Sequence, residues 1–277
     1  MKYLIDILKG ALVGIANIIP GVSGGTMAVI TGIYEKLIDI IGNILSHLRS
    51  WTKLKEDLKF IIPIGIGALI GIIGFSKLLK WLLTYYEMPT LYCFLGLIIG
   101  SLPLIFKNAN EKGFNKKYII PFIITTVFMI VLNIIAISVN DGNAIVEFSK
   151  TPIDMLKLVG YGFIAAGTMI IPGISGSMVL MIMGVYEAIL TAVSNLDIIT
   201  LIPFVIGVGI GIIVVSKIID MLLDNFYGYT YYAILGFIIG SIIFIFPGFA
   251  FTLTGLASII TFVIGFAVSF MISKISK

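Results

Sequence analysis

Asn17-Ile18-Ile19-Pro20-Gly21-Val22-Ser23-Gly24-Gly25-Thr26 interrupts an apolar run near the start of the chain. The pattern returns as Thr168-Met169-Ile170-Ile171-Pro172-Gly173-Ile174-Ser175-Gly176-Ser177. Proline has no amide donor, and glycine costs about 1 kcal/mol in a helix interior. An unpaired backbone group is costly in lipid, so broken helices occur there where protein or a cavity surrounds them. We therefore predict that the two breaks form the working site.

The composition around these breaks is that of a polytopic membrane protein. Of 277 residues, 59% are hydrophobic and 12% are charged, about half the charged share of a soluble domain. Lysines at a cytoplasmic face explain the net charge of +4, so no nucleic-acid partner is expected. The chain has one cysteine, Cys93, and one histidine, His47, which we place in a polar loop. Neither an internal disulfide nor a multi-cysteine metal site is possible, and we expect no metal and no cofactor.

Two halves repeat one order of segments. Each half is predicted to hold a broken segment and three membrane spans, and the two form one integrated membrane domain. In the first half, residues 1–140, the broken segment covers about 3–45 and the spans about 60–80, 90–106 and 118–138. In the second half, residues 141–277, the broken segment covers about 158–190 and the spans about 201–219, 229–246 and 255–273. Four tyrosines fit an interfacial belt, namely Tyr227, Tyr229, Tyr231 and Tyr232.

The halves match position by position. Matching residues are 152 positions apart in the broken segments, as are Pro20 and Pro172, and 140 apart in the spans, as are Lys77 and Lys217. Ordered agreement at many polar and glycine positions indicates an internal duplication. Glycines spaced four apart predict close helix packing. They lie at 67 and 71, 96 and 100, 207 and 211, and 236 and 240.

The distribution of basic residues indicates how the two halves are oriented in the membrane. If each broken segment returns to the side where it entered, each half crosses three times, the halves are inverted, and 14 basic residues lie inside against 4 outside. If each crosses once, the split is 9 against 9. The positive-inside rule favours the first arrangement. We predict an all-α membrane protein with an inverted-topology tandem repeat, each half a re-entrant hairpin plus three spans, and both termini cytoplasmic. Two full crossings per broken segment remain an alternative.

A helix is predicted to restart at Ser23 and at Ser175. Serine is a preferred N-cap, and a helix start offers unpaired amide donors, which suit phosphate or carboxylate. The alternative is that Pro-Gly only kinks two closely packed helices. The residues that we predict to bind substrate lie in the two motifs. They are Asn17, Pro20, Gly21, Ser23, Gly24, Gly25 and Thr26 in the first, and Thr168, Pro172, Gly173, Ser175, Gly176 and Ser177 in the second.

Two pairs of charged residues are candidates for coupling or gating. Glu35 and Glu187 follow the serines by 12 residues, about 18 Å along one helix and near the membrane surface. They are candidate proton carriers, or ordinary interfacial residues. Lys77 and Lys217 are candidates to draw an anionic headgroup from each leaflet, or they simply snorkel.

The sequence argues against an enzyme. Gly21-Val22-Ser23-Gly24-Gly25 matches the pattern of a nucleophile elbow. A serine nucleophile needs an adjacent base, and the one histidine lies outside the apolar segments. The second motif repeats the serine, which a transport site explains better than a single nucleophile. We expect no catalytic residue.

The two motifs, with Gly32-Ile33-Tyr34-Glu35 and Gly184-Val185-Tyr186-Glu187 after them, resemble a known family. It is the PopT-type polyprenyl-phosphate transporters, long described as a membrane domain of unknown function. The resemblance covers essentially the whole chain. It implies a flippase that translocates undecaprenyl phosphate, or a related polyprenyl phosphate, across the cytoplasmic membrane and so recycles the lipid carrier of cell-envelope synthesis. Ser177 stands where the first motif has Gly25, a departure from two equal half-sites.

The resemblance and the repeat together predict alternating access. The phosphate would sit on two helix starts while the tail stays in the bilayer, and a proton or Na+ is the candidate coupling ion. The expected partners are the polyprenyl-phosphate lipid and the bilayer, with a homo-oligomer as a further candidate. The alternative function is an ion-coupled secondary transporter of a small soluble carboxylate or phosphate. A lipid carrier, unlike this alternative, needs a lateral opening to the bilayer at headgroup depth.

Overall fold

The computed structural model describes residues 2–18, 23–139, 148 and 151–275, which form helices and, within these ranges, no strand. Pro20 and Gly21 lie outside the described residues. The first half contains α1 (Lys2–Ile18), α2 (Gly24–Ile30), α3 (Tyr34–Gly42), α4 (Ile44–His47), α5 (Trp51–Tyr85), α6 (Glu87–Ala109), a 3-10 turn (Lys116–Tyr118) and α7 (Ile119–Val139). The second half contains α8 (Pro152–Ile170), α9 (Gly176–Ile182), α10 (Tyr186–Ser194), α11 (Ile198–Ile245) and α12 (Leu253–Ile275).

Six described helices are long and apolar enough to cross a membrane, or seven spans if the bent pair α9–α10 forms one. The six are α5, α6, α7, α8, α11 and α12. Large apolar side chains such as Ile73, Val205 and Ile260 are exposed on them, a surface that lipid covers more readily than water. The chain is therefore a multi-pass membrane protein, helical in the parts that the structure describes.

The helix α11 holds two of the predicted spans. It has 48 residues, whereas one crossing needs about 20. Its backbone leaves the helical region at Phe226, with φ −133° and ψ 42°. Tyr86, 140 positions earlier, separates α5 from α6 with φ −138° and ψ 42°. The same bend thus occurs at matching positions, once between two helices and once inside a continuous one.

Both broken segments contain a second break that the sequence prediction missed. α2 and α9 begin where predicted, with Ser23 and Ser175 as extended N-cap residues, but each ends after seven residues. Gly32 and Gly184 then adopt φ +69° and +71°, a conformation that glycine enters readily. α9 and α10 meet at 115°. The expectation that Glu35 and Glu187 lie 12 residues along one helix is therefore wrong, because they sit in the first turns of α3 and α10.

The polar connector after α3 is also helical. His47, predicted to lie in a loop, belongs to the short helix α4 and is buried. Its Nδ1 lies 2.7 Å from Oδ2 of Asp57. The connector is therefore packed onto the start of α5.

Within each half, the helix before the break packs along the first span. Gly67 and Gly71 of α5 face the carbonyls of Ile7 and Ala11, and a Cβ at either glycine would collide with them. The second half repeats this contact, with Gly207 and Gly211 against Val159 and Phe163. In each pair the residue numbers in contact increase in the same direction along both helices. α1 is therefore parallel to α5, and α8 is parallel to the first arm of α11. The spaced glycines pack closely, as predicted.

Between the halves, the second span of each half packs against the third span of the other half. Gly96 and Gly100 of α6 face Phe262 and Phe266 of α12, and the Thr261 hydroxyl donates to the Pro89 carbonyl at 2.7 Å. In the same way α7 packs along the second arm of α11. There Gly236 and Gly240 face Phe122 and Met129. Both pairs are parallel, and this packing interlocks the two halves.

Candidate functional site

The two motifs touch one another in the centre of the protein. The backbone N–H of Gly173 donates to Oγ1 of Thr26 at 2.8 Å, and the Tyr34 hydroxyl donates to the Ile170 carbonyl at 3.2 Å. A Cβ on Gly25 would lie 3.2 Å from the Met169 carbonyl oxygen, so a bulkier residue there would force the motifs apart. Thr26 is fully buried in this contact, so its hydroxyl joins the two breaks.

A cavity of about 530 Å³ lies beside this contact, and we call it the serine cavity. Apolar side chains of α3, α8, α10 and the first arm of α11 form its walls, including Leu37, Ala166, Ile189 and Phe204. Seven of the predicted site residues line it. They are Asn17, Ser23, Gly24 and Gly25 from the first motif and Ser175, Gly176 and Ser177 from the second.

Ser23 contributes an unpaired hydroxyl to the serine cavity. The residue is 4% exposed, and its Oγ has no hydrogen-bond partner among the described residues. It does not cap its own helix. A buried polar group left in this state costs about 1–3 kcal/mol. A ligand that accepts or donates a hydrogen bond there would recover that cost.

The second motif offers a pair of hydroxyls. Oγ of Ser175 and Oγ of Ser177 are 2.8 Å apart. Only one of the two hydrogens can lie between them, so the other remains available to a ligand. Ser175 makes no side-chain cap either, which leaves the first-turn amides of α9 without that partner. α2 and α9 have seven residues each, so discrete donors matter here more than a helix dipole.

The two motifs carry different side chains over their glycines. The Asn17 amide lies over Gly24, where any Cβ would meet it, and the Met169 thioether lies over Gly176. Asn17 and Met169 are 152 positions apart and therefore match in the repeat. The first motif thus adds an amide to the serine cavity where the second adds an apolar group.

Three other predicted residues lie away from this cavity. The Thr168 hydroxyl donates to carbonyls of its own helix, those of Ile164 and Ala165. Pro172 lines a separate apolar cavity. Gly173, with φ +91°, packs on the backbone of Phe237. Pro20 and Gly21 are outside the described residues, so their predicted role stays a prediction.

Glu35 and Glu187 lie in unlike surroundings. Glu35 Oε1 accepts a hydrogen bond from the Tyr231 hydroxyl. The Tyr227 hydroxyl, which has one hydrogen to donate, lies 3.0 Å from Glu35 Oε1 and 3.1 Å from Glu111 Oε2. The positions that match these tyrosines near Glu187 hold Glu87 and Leu91. The tyrosines were assigned from sequence to an interfacial belt, and nothing in their spacing predicted a carboxylate partner.

Both lysines are exposed, and Lys217 links α11 to Asn43, the C-cap residue of α3. Lys217 Nζ donates to Oδ1 of Asn43 and lies 3.3 Å from Oδ2 of Asp220. Asn43 also donates to Asp220 at 2.8 Å. Neither lysine lines the serine cavity.

Comparison with known proteins identifies the family of this chain. Residues 13–258 match the sequence profile of the undecaprenyl phosphate translocase-like family, also described as VCA0040-like. The polyprenyl-phosphate transporter of Staphylococcus aureus (strain NCTC 8325 / PS 47) is 34% identical over 98% of this chain and 96% of its own length. The polyprenyl-phosphate transporter of Vibrio cholerae serotype O1 (strain ATCC 39315 / El Tor Inaba N16961) is 31% identical over 89% and 79%, respectively. No solved structure matches. The profile match and these relatives show that the chain belongs to the undecaprenyl phosphate translocase-like family.

Proposed function

We propose that this protein transports a polyprenyl phosphate, with undecaprenyl phosphate as the leading candidate, across the cytoplasmic membrane. The family and the two relatives, both named polyprenyl-phosphate transporters, support this substrate. The structural observation that carries the proposal is the serine cavity, where hydroxyls from both breaks meet around an unpaired Ser23 Oγ. These relatives are transporters, which fits the expectation that the chain is not an enzyme.

The phosphate is proposed to bind through neutral donors. Ser23, one hydroxyl of the Ser175–Ser177 pair and the Asn17 amide face the serine cavity, and no charged residue is among its described lining. Hydrogen bonds from charged donors are roughly twice as strong as those from neutral ones. Neutral donors therefore suit a transporter, because the site must release its anion on the far side. They also avoid burying a lysine in lipid.

We infer that the halves are inverted. The parallel packing of α1 on α5, and of α8 on α11, supports a broken segment that returns to the side where it entered. The parallel packing of a second span on the third span of the other half supports opposite orientations. α2 and α9, at seven residues or about 10 Å each, favour re-entrant hairpins over two full crossings. The basic residues then place both termini in the cytoplasm.

Alternating access is the mechanism that we propose. α3 packs along α11, from Glu35 near Tyr231 to Gly42 against Lys217, whereas α10 does not pack along α5 in this way. Ser23 is buried whereas its match Ser175 is half-buried, and Gly25 is half-buried whereas its match Ser177 is exposed. These differences support a state that is closed on the α3 side and accessible on the α10 side. In the opposite state α10 would pack on α5 and α3 would be released.

A proton remains the coupling ion that we favour, with Na+ as the alternative, and Glu35 is the carboxylate through which a proton would act. Protonation would weaken its hydrogen bonds to Tyr227 and Tyr231, because a neutral acid accepts more weakly than a carboxylate. The closed side would then open more readily. Glu187 has no matching tyrosines, so the proposal centres on Glu35.

A leaflet-exchange assay tests the transport function. Purified protein in liposomes is expected to move a fluorescent polyprenyl phosphate between leaflets faster than empty liposomes do. Ser23→Ala with Ser175→Ala is expected to slow exchange by about tenfold or more, because two hydrogen bonds to an anion are lost. Ser138→Ala, an exposed serine on α7, is the matched control and should leave exchange unchanged. Exchange no faster than in empty liposomes, with and without a proton gradient, would contradict the proposal. Uptake of inorganic phosphate or a soluble carboxylate instead would favour the alternative transporter.

A further inference from the structure

We propose that the isoprenyl units next to the phosphate bind in an apolar groove at the bend of α11, beside the serine cavity. This inference rests on the proposed transport of a polyprenyl phosphate and adds a binding subsite for its tail. We call this space the bend groove. It is lined by Ile171 and Pro172 of the second break and, on α11, by Leu222, Phe226, Ala233 and Phe237.

The bend groove has the chemistry of a hydrocarbon site. The Thr230 hydroxyl in its wall lies 3.0 Å from the carbonyls of both Leu222 and Phe226, to which it donates. The Tyr34 hydroxyl is also engaged, since it donates to the Ile170 carbonyl. Neither Thr230 nor Tyr34 therefore offers a phosphate a free donor, and Tyr229 lies only at the edge of the groove, so a phosphate inside would lose hydration without replacement. An apolar chain loses nothing there.

The groove lies directly beside the serine cavity. Tyr34 lines both spaces, and the neighbouring residues Ile170 and Ile171 line one each. One aromatic side chain and one peptide unit therefore separate the phosphate donors from the apolar groove. A ligand with an anionic head joined directly to an unsaturated hydrocarbon chain would place its head in the serine cavity and its first tail units in the groove once the Tyr34–Ile170 contact parts.

The edge of the groove reaches the protein surface, where Phe226 and Tyr229 are 55% and 36% exposed. It lies on the α3 side, next to the contacts of Glu35 with Tyr227 and Tyr231, so it would admit a tail from the bilayer when that side opens. The volume is about 320 Å³, enough for about ten water-sized groups at roughly 30 Å³ each. That is about two five-carbon isoprene units, so the rest of a long tail would continue into the bilayer.

The test compares two phosphates that differ only in the tail. Binding of farnesyl phosphate and of methyl phosphate to the detergent-solubilised full chain is measured by titration. Ala233→Trp would fill the groove and is expected to weaken farnesyl phosphate binding by about tenfold or more. Methyl phosphate binding should stay unchanged. Ala257→Trp, at an exposed alanine of α12, is the matched control and should change neither affinity.

The outcomes separate the groove from the transport function. If Ala233→Trp binds farnesyl phosphate as tightly as the wild type, or loses both ligands equally, the groove does not hold the tail. The first result would mean that a phospholipid chain fills the groove or that the tail stays in bulk lipid. If the wild type binds neither phosphate, the proposed function fails and the groove proposal falls with it. Ala233→Leu, a smaller change, replaces Ala233→Trp if the larger one does not give monodisperse protein, with a smaller loss expected in the same ligand.

Discussion

α3 and α10 are matching helices of nine residues, yet they occupy different places. α3 lies along α11, where a Cβ on Gly42 would be 3.0 Å from the backbone of Lys217. The residue of α10 that matches Gly42 is Ser194, which is exposed and donates to its own helix at Thr191. Two copies of one design therefore adopt two conformations in the same molecule. The proposed inverted repeat with alternating access would require such a difference in any one state.

The partners for the missing contact are present in the second copy. Asn43 and Lys217 join α3 to α11, and their matching residues are Asn195 and Lys77. Among the described residues, no hydrogen bond joins Asn195 to Lys77. We expect them to approach one another when α10 closes on α5.

The largest predicted effect comes from Gly42→Leu. Any side chain there meets the backbone of Ser216 and Lys217, and overpacking of this kind costs about 1–3 kcal/mol. The closed α3 side would be destabilised, so leaflet exchange should fall by about tenfold to a hundredfold. Ser194→Leu, at the exposed matching position, should have little effect in the same assay. Equal losses from the two variants would contradict the difference between α3 and α10.

A smaller effect is expected from Tyr227→Phe with Tyr231→Phe. This variant removes both hydroxyls that contact Glu35. Since Glu35 is exposed, the loss should be near the lower end of the range for hydrogen bonds to charged groups, about 1.5 kcal/mol. The measurement is labelling of Leu37→Cys, a half-buried position on α3, by a membrane-impermeant thiol reagent. Labelling should increase several-fold, and Tyr229→Phe, on the same helix, should leave it unchanged.

The smallest effect is expected from Lys217→Ala. The lysine side chain is 54% exposed, and exposed ion pairs contribute less than about 1 kcal/mol. Exchange should drop no more than about fivefold, and the drop should shrink in high salt. Lys77→Ala should leave the thiol labelling of α3 described above unchanged, whereas Lys217→Ala should raise it, because Lys217 contacts Asn43 at the end of α3. Greater labelling with Lys77→Ala than with Lys217→Ala would contradict this comparison.

Much of the framework could be predicted from the sequence. Apolar runs of sufficient length located the spans, and glycines four apart located close helix contacts, because both signals are local and repeat along the chain. Ser23 and Ser175 were predicted correctly as the points where helices restart. The serine cavity followed from assuming that the two breaks meet.

The remaining features depend on long-range contacts. The bend inside α11 has no proline or glycine at Phe226 to mark it. The second breaks at Gly32 and Gly184 were missed because an isolated glycine in an apolar run is compatible with a helix. The bonds from Tyr227 and Tyr231 to Glu35 join residues 192 and 196 positions apart. The two halves also have similar sequences, so the sequence does not predict whether α3 or α10 is the packed helix in a given conformation.

Cross-linking of the two matching pairs tests most directly whether α3 and α10 alternate between the packed and the released position. In a Cys93→Ser background, a short bifunctional thiol reagent is applied to Asn43→Cys with Lys217→Cys, and separately to Asn195→Cys with Lys77→Cys, in liposomes that contain polyprenyl phosphate. We predict that both pairs cross-link, that either cross-link stops leaflet exchange, and that in a four-cysteine variant one cross-link prevents the other. The account would be contradicted if leaflet exchange continues while the Asn195–Lys77 pair never cross-links. It would also be contradicted if both cross-links form in one molecule.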